Sequence, residues 1–208
     1  MAKPVVIIVE GLADRKFLTD YISHLKIEPF DNENIIDAKG WETIVSEGAQ
    51  GELIRTQMEK NFNGNGGINL IIFDADLDKK KREQEILEWK KKFNLSFELF
   101  LLPDNSNSGT LEHLLEKIIQ DNNNPIFDCW DQYEKCLKTK TIIGRSEPLT
   151  IPTKKTKIYG YLEALLGSTK SEKNKIKEDK RNYKENKHWN LDSEHLSSLK
   201  NFLINNIK

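Results

Sequence analysis

The sequence predicts an α/β fold built on a four-stranded parallel sheet with helices on both faces, followed by a helical extension. Two observations carry that reading. Val5–Val9 and Leu70–Phe73 are continuous apolar runs of strand length, the pattern of strands buried on both faces. Strand-like and helix-like segments then alternate four times within the first 120 residues, which calls for right-handed crossovers and a parallel sheet.

The elements follow in order. Val5–Val9 is β-branched apart from its context and forms the first strand. From Asp14 to Leu25, Phe17, Leu18, Tyr21, Ile22 and Leu25 recur at helical spacing. Asn34–Ala38 is a short second strand closed by Lys39-Gly40. Leu53 to Phe62 is a second helix, with Leu53, Ile54, Met58 and Phe62 as its apolar positions. A turn, Asn63–Gly67, leads into a third strand, Asn69–Asp74. A charged helix spans Lys80 to Phe93, with Ile86, Leu87 and Phe93 facing inward. Phe97–Leu102 is the fourth strand, stopped by Pro103, and Leu111–Ile119 a fourth helix. The flavodoxin-type order, with the first strand between the second and third, suits this succession.

After Gln120 the alternation ends, so residues 1–120 form the sheet domain and 121–208 a basic, mostly helical extension packing on it. Ile126–Leu137 reads as a helix carrying Phe127, Trp130, Tyr133 and Leu137. Ile142–Ile151 is irregular, and Thr156–Leu166 is a helix closed by Gly167. Residues 168–187 are lysine-rich, with few large apolar groups, and read as mobile. Ser193–Ile207 is amphipathic and docks on the sheet domain.

Composition narrows the class. The chain has 208 residues, 31% of them charged, and no apolar run approaches a membrane span. No signal peptide is evident, so a cytoplasmic protein is expected. Cys129 and Cys136 have neither zinc spacing nor partners for a disulfide framework. Net charge is −1, yet residues 1–137 carry −9 and residues 138–208 carry +8. Such asymmetry suits an anionic partner such as nucleic acid, or equally a solvated lysine surface. A homo-oligomer is compatible with the composition.

Candidate chemistry lies at the strand ends. Glu10 follows the first strand, and Asp74 and Asp76 end the third. In the order above, both ends meet where the strand order reverses, the usual site position in open parallel sheets. Three crowded carboxylates repel; protonation or a hard divalent cation relieves them, and oxygen donors suit Mg²⁺ or Mn²⁺. Asp14 lies one helical turn past Glu10 and is also readable as a plain first-turn acid. Glu112, after the fourth strand, is a further ligand or a dipole-favoured helix acid. Asp78 and Asp104 read as turn residues. No P-loop and no dinucleotide fingerprint is present, and His24, His113, His188 and His195 lack zinc spacing. Lys154, Lys155 and Lys157 form a basic patch able to meet a phosphate, or a solvated face.

Val9-Glu10-Gly11 after the first strand and Asp74-Ala75-Asp76 after the third resemble the Toprim domain, a Rossmann-like topoisomerase–primase fold, over roughly residues 4–120. Glu10-Gly11 with Asp14 is similar to the opening motif of the overcoming-lysogenization-defect (OLD) nucleases. It is also similar to that of small Toprim ribonucleases that mature ribosomal RNA. Ser108-Gly109-Thr110-Leu111-Glu112 resembles the extra acidic motif of the OLD-like branch. The whole chain, with His188-Trp189-Asn190-Leu191-Asp192, resembles a stand-alone bacterial Toprim-like family.

The resemblance implies a Mg²⁺- or Mn²⁺-dependent nuclease. Glu10, Asp74 and Asp76 would be its catalytic residues, and Glu10, Asp14, Asp74, Asp76 and Glu112 its metal ligands. Lys154, Lys155 and Lys157 would serve the nucleic-acid backbone. The ATPase, topoisomerase-tyrosine and primase-zinc modules are lacking, which leaves a non-catalytic nucleic-acid-binding or regulatory module as the alternative. A receiver-like phospho-acceptor is disfavoured by the second aspartate, Asp76, and by Pro103 where a Ser/Thr–Lys relay would begin.

Overall fold

A computed structural model describes residues 3–28 and 30–207. Its centre is an all-parallel sheet of β1 (Val5–Val9), β2 (Ile35–Asp37), β3 (Ile68–Asp74) and β4 (Glu98–Leu102), in the order β2-β1-β3-β4. The expected order therefore holds. Register pairs Val9 with Asp37 on one side and with Ile72 on the other, and Asp74 with Leu102. The carboxyl ends of β1 and β3 consequently lie side by side at the reversal.

Alternate strand residues feed two apolar layers. Ile7, Val9, Leu70, Ile72, Phe100 and Leu102 face α1 (Leu12–His24). Ile8, Ile71, Phe73 and Leu101 face α2 (Trp41–Val45), α3 (Ala49–Glu59) and α4 (Lys79–Lys92). The α3 helix ends in a π turn, Lys60–Gly64. Beneath it, Asn69 is buried and hydrogen-bonds the carbonyls of Met58 and Ser96.

After β4 the chain crosses back to the first face through α5 (Leu111–Lys117). There α6 (Asn124–Thr139), α7 (Lys154–Leu166), α8 (Lys170–Lys175) and α9 (Ser197–Ile207) follow. The extension shares the first apolar layer rather than resting on its rim. Ile158, Tyr161, Tyr183, Trp189, Leu199 and Leu203 are buried in the same cluster as α1 and the sheet. Gly167, with φ +97°, ends α7 as expected. Cys129 and Cys136 are free and exposed. Among the described residues, no helix is long and apolar enough to cross a membrane.

Four expectations need correction. Leu53, Phe62 and Leu87 are exposed: each lies off the stripe set by Ile54, Met58, Ile86 and Trp89. Residues 168–187, read as mobile, are anchored to the core at three positions. They contain α8, and Ile176, Arg181 and Tyr183 are buried. Few apolar residues suffice there because Tyr183 wedges edge-on to Phe17, with ring centroids 5.2 Å apart.

Candidate metal and acid centre

The loops after β1, β3 and β4 meet at the carboxyl edge of the sheet. Backbone pairing holds the third of these in place. Asp76 forms an antiparallel bridge with Gly109, and Lys79 N–H donates to the Ser108 hydroxyl at 3.0 Å. Gly109 has φ +146° and an added Cβ would lie 3.0 Å from the His113 ring, so glycine suits both the turn and the contact. Asp76 itself takes the left-handed conformation, φ +53°, which aspartate tolerates.

Each predicted acid reaches this edge. The Glu10 carboxylate accepts from Asp74 N–H at 3.4 Å and from the Trp41 backbone N–H at the start of α2. Asp14 is buried, and its carboxylate accepts from Gly11 N–H at 3.0 Å. Asp74 accepts from Leu111 N–H at 2.8 Å, which ties β3 to α5 across 37 residues. Glu112 accepts from the Thr110 hydroxyl at 2.8 Å. Asp76 pairs with the Arg82 guanidinium.

The acids feel one another. Burial pushes Asp74 up to about 9, reinforced by Asp14, Glu10 and Glu112. Burial likewise raises Asp14 to about 7, with Glu10 and Glu112 adding to it. Glu10 is also raised by burial; Arg82 opposes the shift and Asp76 adds to it. Protons thus occupy part of this cluster at neutral pH.

Oxygen-only donors in a cluster that holds protons match what a hard divalent cation needs. The side chains are not gathered into a finished coordination shell, however. Among the described residues no three His, Cys, Asp or Glu side chains form a ready metal-holding group. The reason is visible in the partners above: each carboxylate is turned to a backbone, hydroxyl or guanidinium donor. The set offers the oxygen donors a hard cation takes, without the gathered geometry of a coordination shell.

Arg82 was not anticipated. Its side chain is 12% exposed, pairs with Asp76, and stacks over Trp41 at 5.4 Å. The signal was the single arginine within a lysine run, one turn into the helix that follows Asp-x-Asp. Asp78 caps α4 through Lys81 N–H, and Asp104 accepts from Ser106 and Asn107 N–H, so both are turn residues as read. His113 is half-buried, and its Nδ1 accepts from Thr110 N–H at 3.0 Å.

The basic patch is already engaged. Lys154 pairs with Glu116 at 2.6 Å and Lys155 with Glu178 at 2.5 Å. Lys157 is buried against Asp131 at 2.7 Å and Glu116 at 3.6 Å. Lys157 is buried, while Lys154 and Lys155 stay exposed at 40% and 55% with one carboxylate partner each.

Fold and site together define a Rossmann-like α/β protein with an acidic crevice at its topological switch point. The chain belongs to the family described as Protein of unknown function (DUF3226), whose model matches residues 4–207. No curated protein and no solved structure matches it.

Proposed function

We propose that this chain is a Mg²⁺- or Mn²⁺-dependent phosphodiesterase that cleaves RNA or DNA, a Toprim-like nuclease acting in the cytoplasm. One observation carries the reading. Acids from three separate loops, Glu10 and Asp14, Asp74 and Asp76, and Glu112, converge where the strand order reverses, and burial with mutual repulsion raises Asp74 and Asp14 there. Glu10, Asp74 and Asp76 would hold the cation, with Asp14 and Glu112 as further ligands. The bound ion would neutralise charge on the scissile phosphate and lower the pKa of an attacking water.

The chain's own groups do the rest. In place of a ligand role, Glu10 would serve as general acid or base: it accepts from the Asp74 N–H, and burial raises its carboxyl above the ordinary glutamate value. Arg82 pairs with Asp76, and with a cation on that carboxylate its guanidinium would be available to a phosphate oxygen. The excess of +8 in residues 138–208 supports backbone contacts, carried by exposed lysines such as Lys154, Lys155, Lys177, Lys184 and Lys187, with the buried Lys157 held by Asp131.

A second reading, a nucleic-acid-binding or regulatory module without catalysis, is favoured by the Arg82–Asp76 pair and the unclosed coordination shell. One assay separates them. Labelled single- and double-stranded RNA and DNA are incubated with Mg²⁺ or Mn²⁺ and either the wild type or an Asp74→Ala/Asp76→Ala variant. Cleavage by the wild type alone is expected. Binding without cleavage, equal in both proteins, selects the module. Cleavage that survives the substitutions rejects the site.

A further inference from the structure

We propose that α6 packs antiparallel against α6 of a second copy of this chain, making the protein a weak homodimer. None of the described residues of α6 is buried, whereas α1, α3, α4, α7 and α9 each bury two or more. The helix is nonetheless rich in apolar groups. One side of it is used within the chain. Phe127 meets the Tyr161 ring edge-on, with centroids 5.3 Å apart, and the Trp130 ring lies so close to Gly160 that an added Cβ there would come within 2.5 Å of it. The other side carries Ile126, Cys129, Tyr133 and Cys136, in steps of three, four and three residues. That is the period of a seam between two helices. Cys129, Tyr133 and Cys136 are exposed, and the chain beyond the helix adds the exposed Ile142 and Ile143. Apolar groups clustered in this way mark an interaction surface, where single exposed ones do not.

Two features of the stripe select a second copy as its occupant. The first is volume. Large and small side chains alternate along it, so a reversed copy sets Ile126 opposite Cys136 and Tyr133 opposite Cys129, one large and one small group in each layer. A parallel copy would set Tyr133 on Tyr133 and Cys129 on Cys129, a crowded layer beside a void. The second is charge. Residues 121–131 hold three acids and no base, and residues 132–140 hold three lysines and one acid. Reversal brings the acidic end of one helix beside the basic end of the other, with Asp128 level with Lys135 to within one residue, whereas parallel pairing sets like charges together. The stripe is thus complementary to itself, as a two-fold interface requires. The helix is about 24 Å long, so a single pair buries less than a standard interface, and association in the micromolar range is expected.

The surface shares no residue with the acidic crevice, and its test needs no cleavage. Sedimentation equilibrium is run on the full-length protein, in reductant and EDTA, from micromolar to millimolar concentration. A reversible monomer–dimer equilibrium is expected. Tyr133→Glu and, separately, Cys136→Glu place a charge in the seam and should each weaken the dimer by about tenfold or more, with circular dichroism unchanged. Asp128→Lys and Lys135→Glu should each weaken it too, and the two together should restore it, because in the reversed pairing residue 128 of one copy meets residue 135 of the other. A monomer throughout the range overturns the proposal and leaves the stripe to a different partner. A dimer indifferent to both seam variants uses another face, and a double exchange no tighter than the single ones excludes the antiparallel arrangement; either result overturns it as well.

Discussion

Replacing Asp74 with asparagine should make the protein more stable at alkaline pH. Asp74 is held protonated in the fold, up to about 9, by burial and by Asp14, Glu10 and Glu112, against 3.8 in an unfolded chain. Between those values the folded state binds a proton that the unfolded state releases. Stability from this group is therefore complete below pH 3.8 and declines as pH rises toward 9. The slope is about 1.4 kcal/mol per pH unit for one fully linked proton, so the step from pH 7 to 8.5 removes about 2 kcal/mol. For a chain of this size that is roughly 4–8 °C in Tm. Asparagine keeps an oxygen for the Leu111 N–H, at 2.8 Å in the wild type, and carries no charge to bury. Urea melts of both proteins between pH 5 and 9, in EDTA, make the comparison. The wild type should lose stability above pH 7 while Asp74→Asn loses much less. Parallel declines, or a variant less stable than the wild type at pH 8.5, would refute the placement of a shared proton at this residue.

Three other outcomes rest on the same geometry. Mg²⁺ should raise the Tm of the wild type more at pH 8 than at pH 6, because the ion displaces protons from Asp74 and Asp14; at a hundredfold excess over Kd the gain is about 2.7 kcal/mol, and a thermal-shift series that finds it equal in Asp74→Ala/Asp76→Ala would assign the effect elsewhere. Asn69→Leu should cost about 2–4 kcal/mol in denaturant melts, since it strands the Met58 and Ser96 carbonyls and the Asn61 amide, each within 3.0 Å; a loss below about 1 kcal/mol would contradict that network. Gly51→Ala should destabilise by about 1–3 kcal/mol despite alanine's better helix propensity, because its Cβ would lie 2.6 Å from the Ser46 carbonyl; a gain in Tm would show that α2 and α3 separate easily.

The sheet was legible because β-branched runs such as Val5–Val9 leave a buried parallel strand as the simplest reading, and the strand order then put Glu10 beside Asp74. Helix faces were less legible. Leu53, Phe62 and Leu87 match a helical period but lie on its solvent side, and a single-residue period cannot say which of two adjacent stripes meets the sheet. The acids of the site were visible from their positions; their donors were not. Leu111 N–H, Trp41 N–H and the Asp76–Gly109 bridge are backbone groups whose roles depend on loops folding toward one another. The partners of the lysine triplet, Glu116, Asp131 and Glu178, were not legible because they come from elsewhere in the chain. Arg181 was hidden for the opposite reason: a charged residue in a polar stretch gives no hint that tertiary packing encloses it.

The apolar layer common to α1 and α9 bears on any attempt to dissect the molecule. Tyr21 donates to the Leu196 carbonyl at 3.4 Å, and Asp20 accepts from the Tyr183 N–H at 2.9 Å. A polypeptide ending at residue 120 would retain all four strands and α1 yet expose apolar groups that the extension covers, Phe100 beside Phe202 and Phe17 beside Tyr183 among them. Proteolytic fragments or truncations that keep the acids are therefore poor reporters of catalysis, because silence from such a piece would reflect collapse of its support and not the absence of chemistry.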